Sequence, residues 1–351
     1  MFAATLALAA CETSAPALPE QPTGSEFLKV AFVKDLSVPD ADEHALPAVQ
    51  AARLAFETAS ANDPDRTPVE LQEFDLRDPA DLEVIEADPA YVGVMVAPGV
   101  DEEAAPLDDD LPVVSLSGLG AGAGRRAWIR MVAPLTTVAD ALSARMRRSD
   151  PCVLSEDPPP DPLFDMLAER LPNATAEAID PSSAADVAAD AGCTTVIWAG
   201  GPDGGATAAR LLRPAGVTFV GGDRLLDPDF LSGVGSEGEG SFALCACSTV
   251  SASTDLAARR FIQDYQSQHG VAPGAYAVEA WDAAHLILRA LDAGETSRTQ
   301  VAAALDDATE IRGLEGTRRL GADGEPVDPR SLLRLYAVRG GRWVPADWHE
   351  V

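Results

Sequence analysis

Four histidines, His44, His269, His285 and His349, are scattered along the chain, and none stands at the spacing that a metal site or a proton relay needs. Neither an HExxH helix pair nor a GxSxG elbow occurs, so hydrolytic chemistry has no machinery to rest on. His285 follows Trp281 by one turn in an apolar stretch and reads as a packing residue. Gly118, Gly120, Gly122 and Gly124 follow a strand-like run, but AWIRMV comes next, where a dinucleotide loop requires a helix. Gly200 to Gly205 precede a helical run as a plain turn; the only lysines are Lys29 and Lys34, so no P-loop exists. The acid runs at 101–105 and 108–110 lack the alternation of a calcium loop and read as a solvated face. Recognition without a cofactor or metal is the chemistry these residue types support.

Five cysteines complete the reactive set. The first, Cys11, ends an apolar run from Phe2 to Ala10 that is too short to span a bilayer. Its tetrad Leu8-Ala9-Ala10-Cys11 resembles the lipobox of bacterial lipoproteins, which implies a lipidated Cys11. No Lys or Arg precedes the run, as a secretory leader requires, so the reading start is expected to lie too late. Residues 12–26 are rich in Ser, Thr, Pro and Gly, the composition of a mobile tether. Cys152 and Cys193 each stand at the start of a strand-like run, and a disulfide is plausible if those strands are parallel neighbours. Cys245 and Cys247 would lie about 6.6 Å apart on one strand face, where a direct bond is strained. Two buried thiols are the alternative.

The elements that must carry these residues alternate. Strands are expected at 28–33, 69–74, 91–96 and 112–115, with helices at 44–60 and 78–86. A second series has strands at 152–155, 174–179, 194–198 and 217–220, with helices at 162–171, 182–191 and 204–214. A further strand at 241–246 leads into helices at 255–268, 276–292 and 299–307. This is the pattern of an α/β fold with parallel sheets, divided into two units that the chain visits more than once. The length of 351 residues suits two domains, and 46% hydrophobic with 23% charged residues excludes disorder. A net charge of −30 repels phosphate backbones, so nucleic acid is excluded as a partner.

The stretch FIQDYQSQHGVAPGAYAVEAWDAAHLILRAL at 261–291 resembles the type I periplasmic solute-binding proteins, specifically the branched-chain amino acid group of ABC transporters. The resemblance rests on Phe261 and Tyr265, on Pro273 with Tyr276-Ala277, and on Trp281-Asp282-Ala283. Further likeness follows in order at 47–59, 112–118, 126–134, 215–235 and 313–325. It implies two Rossmann-like doubly wound lobes joined by a three-strand hinge, with a ligand clasped between them. On this pattern the lobes comprise 27–132 plus 251–328 and 133–250 plus 329–351, after a leader at 1–10 and a lipidated tether at 11–26.

Site residues follow from the same likeness. Ser115, Ser117 and Gly118 match the loop that holds a ligand carboxylate, Ala97 and Pro98 match a second contact loop, and Asp223 matches the acid that pairs with a ligand ammonium. Two aromatic walls of the family are missing: Pro159 or Pro160 replaces one, and Gly200-Gly201-Pro202-Asp203 the other. Trp198 either substitutes for a wall or belongs to the core. The expected protein is an extracytoplasmic, membrane-anchored lipoprotein that captures a small polar molecule, an amino acid or derivative, for an ABC importer and its permease. A ligand-sensing or degenerate module acting through a protein partner is the alternative, and an α/β enzyme the third.

Overall fold

The computed structural model describes residues 27–38, 40–101, 107, 111–120, 127–159, 162–248 and 255–351. The leader, Cys11, the tether, Gly122, Gly124, Pro160 and most of the two acid runs lie outside the described residues.

β1 (Leu28–Lys34), β2 (Val69–Asp75), β3 (Tyr91–Val96), β4 (Val113–Ser115) and β5 (Trp128–Arg130) form one parallel sheet in the order β2-β1-β3-β4-β5. The run YVGVMV of β3 is buried along its whole length, as expected of a parallel strand covered on both faces. α1 (Ala41–Asn62) and α2 (Pro79–Ala87) connect the first strands; Asp78 caps α2 by accepting the Ala80 amide at 2.9 Å.

The chain then crosses to a second layer. α3 (Leu135–Met146), β6 (Pro151–Glu156), α4 (Leu163–Arg170), β7 (Thr175–Ile179), α5 (Ala184–Ala191), β8 (Thr195–Trp198), α6 (Pro202–Leu212), β9 (Thr218–Gly221), α7 (Pro228–Val234) and β10 (Phe242–Cys245) follow. It returns to the first sheet through α8 (Leu256–His269), α9 (Ala277–Asp292), α10 (Arg298–Asp306) and the hairpin of β11 (Glu310–Gly313) with β12 (Gly316–Arg319). Finally β13 (Arg334–Arg339) and β14 (Arg342–Pro345) extend the second sheet, whose order is β14-β13-β10-β9-β8-β6-β7. Both pair antiparallel to their neighbours, so this sheet is mixed rather than wholly parallel. The described parts of the three crossings, at 131–134, 246–248 and 320–333, carry no regular strand beyond an isolated bridge between Leu320 and Pro326.

α1 and α9 pack face to face in the first lobe. Ala48, Ala52 and Ala55 on one helix and Ala280, Ala283 and Ala284 on the other are all buried, and such small side chains let two backbones approach closely. Ile287 and Phe56 are buried as well, each contributing about 1.5–3 kcal/mol by leaving water. This contact fixes the start of α1 against the start of α9, which places His44 beside Tyr276.

Cys152 and Cys193 are joined with 5.8 Å between Cα atoms. They brace the starting ends of β6 and β8, at the opposite end of the sheet from the cleft. Cys245 and Cys247 are also bonded, at 5.0 Å. The strand geometry that argued against this bond does not apply, because β10 ends at Cys245 and the chain bends before Cys247.

Candidate functional site

A cavity of about 240 Å³ lies between the lobes. It opens at the carboxyl ends of β1, β3 and β4 on one side and of β9 on the other, where open α/β sheets take their ligands. Ala41 and Leu135, the first residues of α1 and α3, also line it, so two helix N-termini meet the same space and favour a negative group there. Ala97, Pro98 and Gly118 line the first-lobe wall, and Asp223 the second.

Charge at the cavity is arranged in pairs. Asp35, 4% exposed, takes Arg77 at 2.7 Å; burial opposes its ionisation, but the Arg77 and Ser37 bonds outweigh it and hold the carboxyl below its usual range. Lys34 is bonded to Asp42 and, at 2.8 Å, to Glu73. Burial lowers its affinity for a proton, yet these two carboxylates raise it further. Asp223 bridges the lobes. Its Oδ2 accepts the hydroxyl of Tyr276 and lies 3.4 Å from His44 Nε2. Burial alone would raise this carboxyl, but His44 and then Tyr276 pull it below the ordinary carboxylate range. Arg224, next along the chain, reaches Asp40 of the first lobe at 3.8 Å.

The hydroxyls of Ser115, at the end of β4, and Ser117, in the loop after it, turn inward. Both are fully buried. Ser117 Oγ donates to the Val100 carbonyl at 2.6 Å and accepts the Leu119 amide at 3.0 Å, while Ser115 Oγ accepts the Ser117 amide. Their hydroxyls close a tight turn after β4 in the manner of serine turns, and of this loop Gly118 and Leu119 line the cavity. Trp198 is not a cleft wall. It is fully buried, donates its indole N–H to Gly201 at 3.1 Å, and packs beside Phe219. A Cβ on Gly204 or Gly205 would come within 2.9 or 3.1 Å of that ring, so the glycines make room for a core tryptophan. At the α6 N-terminus, Glu156 accepts the Gly201 amide at 2.7 Å.

Residues 168–342 match the family model described as periplasmic binding protein. Over this segment the chain is similar to the periplasmic binding protein family. Its fold is the type I form of that family, and solved structures agree. A possible leucine/isoleucine/valine-binding protein from Rhodopirellula baltica superposes with a TM-score of 0.74 at 17% identity, covering 94% of this chain and 99% of its own. The leucine-binding protein LivK from Thermotoga maritima gives 0.69 at 16%, covering 91% and 98%. A solute-binding protein from R. palustris in complex with benzoate gives 0.66 at 16%, covering 91% and 95%. No curated protein matches the chain in sequence. Members of this family bind solutes outside the cytoplasm, and no helix among the described residues is long and apolar enough to cross a membrane.

Sequence reasoning left three parts of this site unassigned. His44 and Tyr276 meet Asp223 across 179 and 53 positions respectively, and nothing in local spacing signals such a meeting; the second separation is that of the bonded pair. Arg130 is the third. Only 1% exposed, it holds Glu325 at 3.0 Å and donates to the carbonyls of Ser117, Leu119 and Gly120 while lying over Trp128 at 4.8 Å. One buried guanidinium thereby sets the backbone that borders the cavity.

Proposed function

We propose that the protein is an extracytoplasmic solute-binding lipoprotein, anchored through Cys11, that captures an amino acid or a close derivative between its lobes and delivers it to the permease of an ABC importer. One observation carries this reading: Asp223 projects from the second lobe into a cavity faced by two helix N-termini. An ammonium at Asp223 and a carboxylate near the N-termini of α1 and α3 would suit opposite ends of one amino acid. The walls between are mostly apolar, with Val38, Val100 and Leu119 among them. Closing the lobes would remove this ion pair from water and strengthen it, which couples capture to hinge motion.

Calorimetric titration of the purified chain with leucine, isoleucine, valine, alanine and benzoate tests the reading. Saturable binding of at least one amino acid, lost in Asp223→Ala, is the expected result. Retained binding in Asp223→Ala removes that residue from its role, and heat from none of the amino acids removes the ligand class. A ligand-sensing module working through a protein partner is favoured by one feature, the inward-turned hydroxyls of Ser115 and Ser117. Pull-down of a permease with the loaded protein separates transport from sensing.

A further inference from the structure

Among the described residues, Asp223 is the one acid of the second lobe that lines the cavity, and both of its first-lobe contacts fall on the same oxygen, Oδ2. His44 and Tyr276 act on it together, since their rings meet edge to face with centroids 5.6 Å apart at 77°. The two differ in kind. A tyrosine hydroxyl stays a neutral donor throughout the physiological range, whereas histidine is the side chain whose charge changes within it. His44 is only 11% exposed and Asp223 18%, so a charge gained by His44 acts on Asp223 with little screening.

We infer that His44 determines which ligand the cleft accepts: neutral, it leaves the Asp223 charge to a ligand ammonium; protonated, it takes that charge itself and turns the cleft toward small carboxylates that carry no amine. This rests on the assignment of the cavity as a solute site. Charged groups approach His44 from both lobes. Asp223 faces it from the segment after β9 and Asp227 from the start of α7, the His44 amide donates to the Asp40 carbonyl at 2.9 Å, and Arg224, beside Asp223, lies 3.8 Å from the Asp40 carboxylate. Lys34 and Asp35, from the end of β1, share the cavity but are bonded to Glu73 and Arg77. With His44 charged, the lobes are also tied by an ion pair that needs no ligand, so the empty protein closes at acid pH.

Two probes of one shape separate these states: leucine, and isocaproate, which is leucine without its amino group. In the wild-type chain the affinity ratio of leucine to isocaproate is expected to fall about tenfold or more between about pH 8 and about pH 5.5. His44→Gln, which keeps a neutral donor, is expected to give a flat ratio. An equal slope in both proteins overturns the inference. Tyr276→Phe should weaken leucine at every pH and leave the slope in place. Small-angle scattering of the ligand-free proteins provides a measurement that needs no ligand. The wild-type chain becomes more compact at the lower pH and His44→Gln does not; the same pH response in both overturns the inference. If neither probe binds, the amino-acid assignment fails on its own, and scattering still decides the role of His44.

Discussion

Arg318 donates to Asp282 at 2.9 Å, with 10% of the one side chain and 2% of the other exposed. Its second terminal nitrogen lies 3.5 Å from Glu279, also 2% exposed. A single guanidinium from the β11–β12 hairpin therefore answers two buried acids on α9. Gly313 has no space for a Cβ against Asp282, so the hairpin can approach α9 only with glycine there. The cluster lies against a hinge cavity lined by parts of all three crossings, with Met131, Ala246 and Asp328 among its walls.

Removing Arg318 should cost far more than its pair with Asp282 is worth. Arg318→Met leaves two buried acids without the guanidinium they share, and breaking a buried pair in this way costs about 3–5 kcal/mol. Urea denaturation at neutral pH measures it. A loss below about 1 kcal/mol, the range of exposed pairs, would show that water reaches the cluster.

Glu279 makes stability depend on pH in a direction opposite to most carboxylates. Burial lifts it from 4.5 to about 7, against the pull of Arg318, and burial raises Asp282 as well. The folded state thus holds the Glu279 proton more tightly than the unfolded chain does. The associated stability is present below the unfolded value and is lost as pH rises through about 7. Above that the penalty is on the order of 3 kcal/mol. Glu279→Gln, isosteric and uncharged, should be more stable than wild type at pH 8 and nearly equal to it at pH 5. Parallel stability-against-pH curves for the two proteins would contradict this.

The resemblance in sequence reached the fold through elements whose burial follows their pattern. The apolar run of β3 and the alanine faces of α1 and α9 are buried. β12 is different. GTRR is mostly exposed and polar, and it becomes a strand because Gly316, at φ +110°, closes the hairpin with β11; no hydrophobic alternation announces it. β13 is hidden by the arginines at both its ends, Arg334 and Arg339. At the site, single-residue matching placed Ala97, Pro98, Gly118 and Asp223 at the cavity, because loop positions after parallel strands are dictated by topology. The inward turn of the Ser115 and Ser117 hydroxyls and the choice between wall and core for Trp198 were not legible, because side-chain direction depends on turns and packing that type and spacing do not encode.

Ser117→Ala tests that distinction. Its hydroxyl holds Val100 and Leu119 rather than a ligand. The substitution should reduce stability by about 1–3 kcal/mol, the cost of leaving buried partners unsatisfied. At saturating ligand, stoichiometry should be unchanged in calorimetry and affinity should shift only modestly. A collapse of affinity with unchanged stability would return Ser117 to the ligand.

The two disulfides should separate stability from hinge behaviour. Cys152–Cys193 spans 41 positions and Cys245–Cys247 only 2. In the chain-entropy account the first contributes about 4 kcal/mol and the second under half of that. The short bridge restrains little of the unfolded chain, and what it does restrain is a crossing segment in which Ala246 borders both the ligand cavity and the hinge cavity. The Cys247 carbonyl also accepts the Tyr336 hydroxyl at 3.2 Å, which ties that segment to β13. Cys152→Ala with Cys193→Ala should lower the melting temperature by several degrees at unchanged ligand affinity. Cys245→Ala with Cys247→Ala should do the reverse, changing affinity and the ligand-free scattering profile while moving the melting temperature less. Equal melting losses in the two double variants would mean that the short bridge serves the fold rather than the hinge.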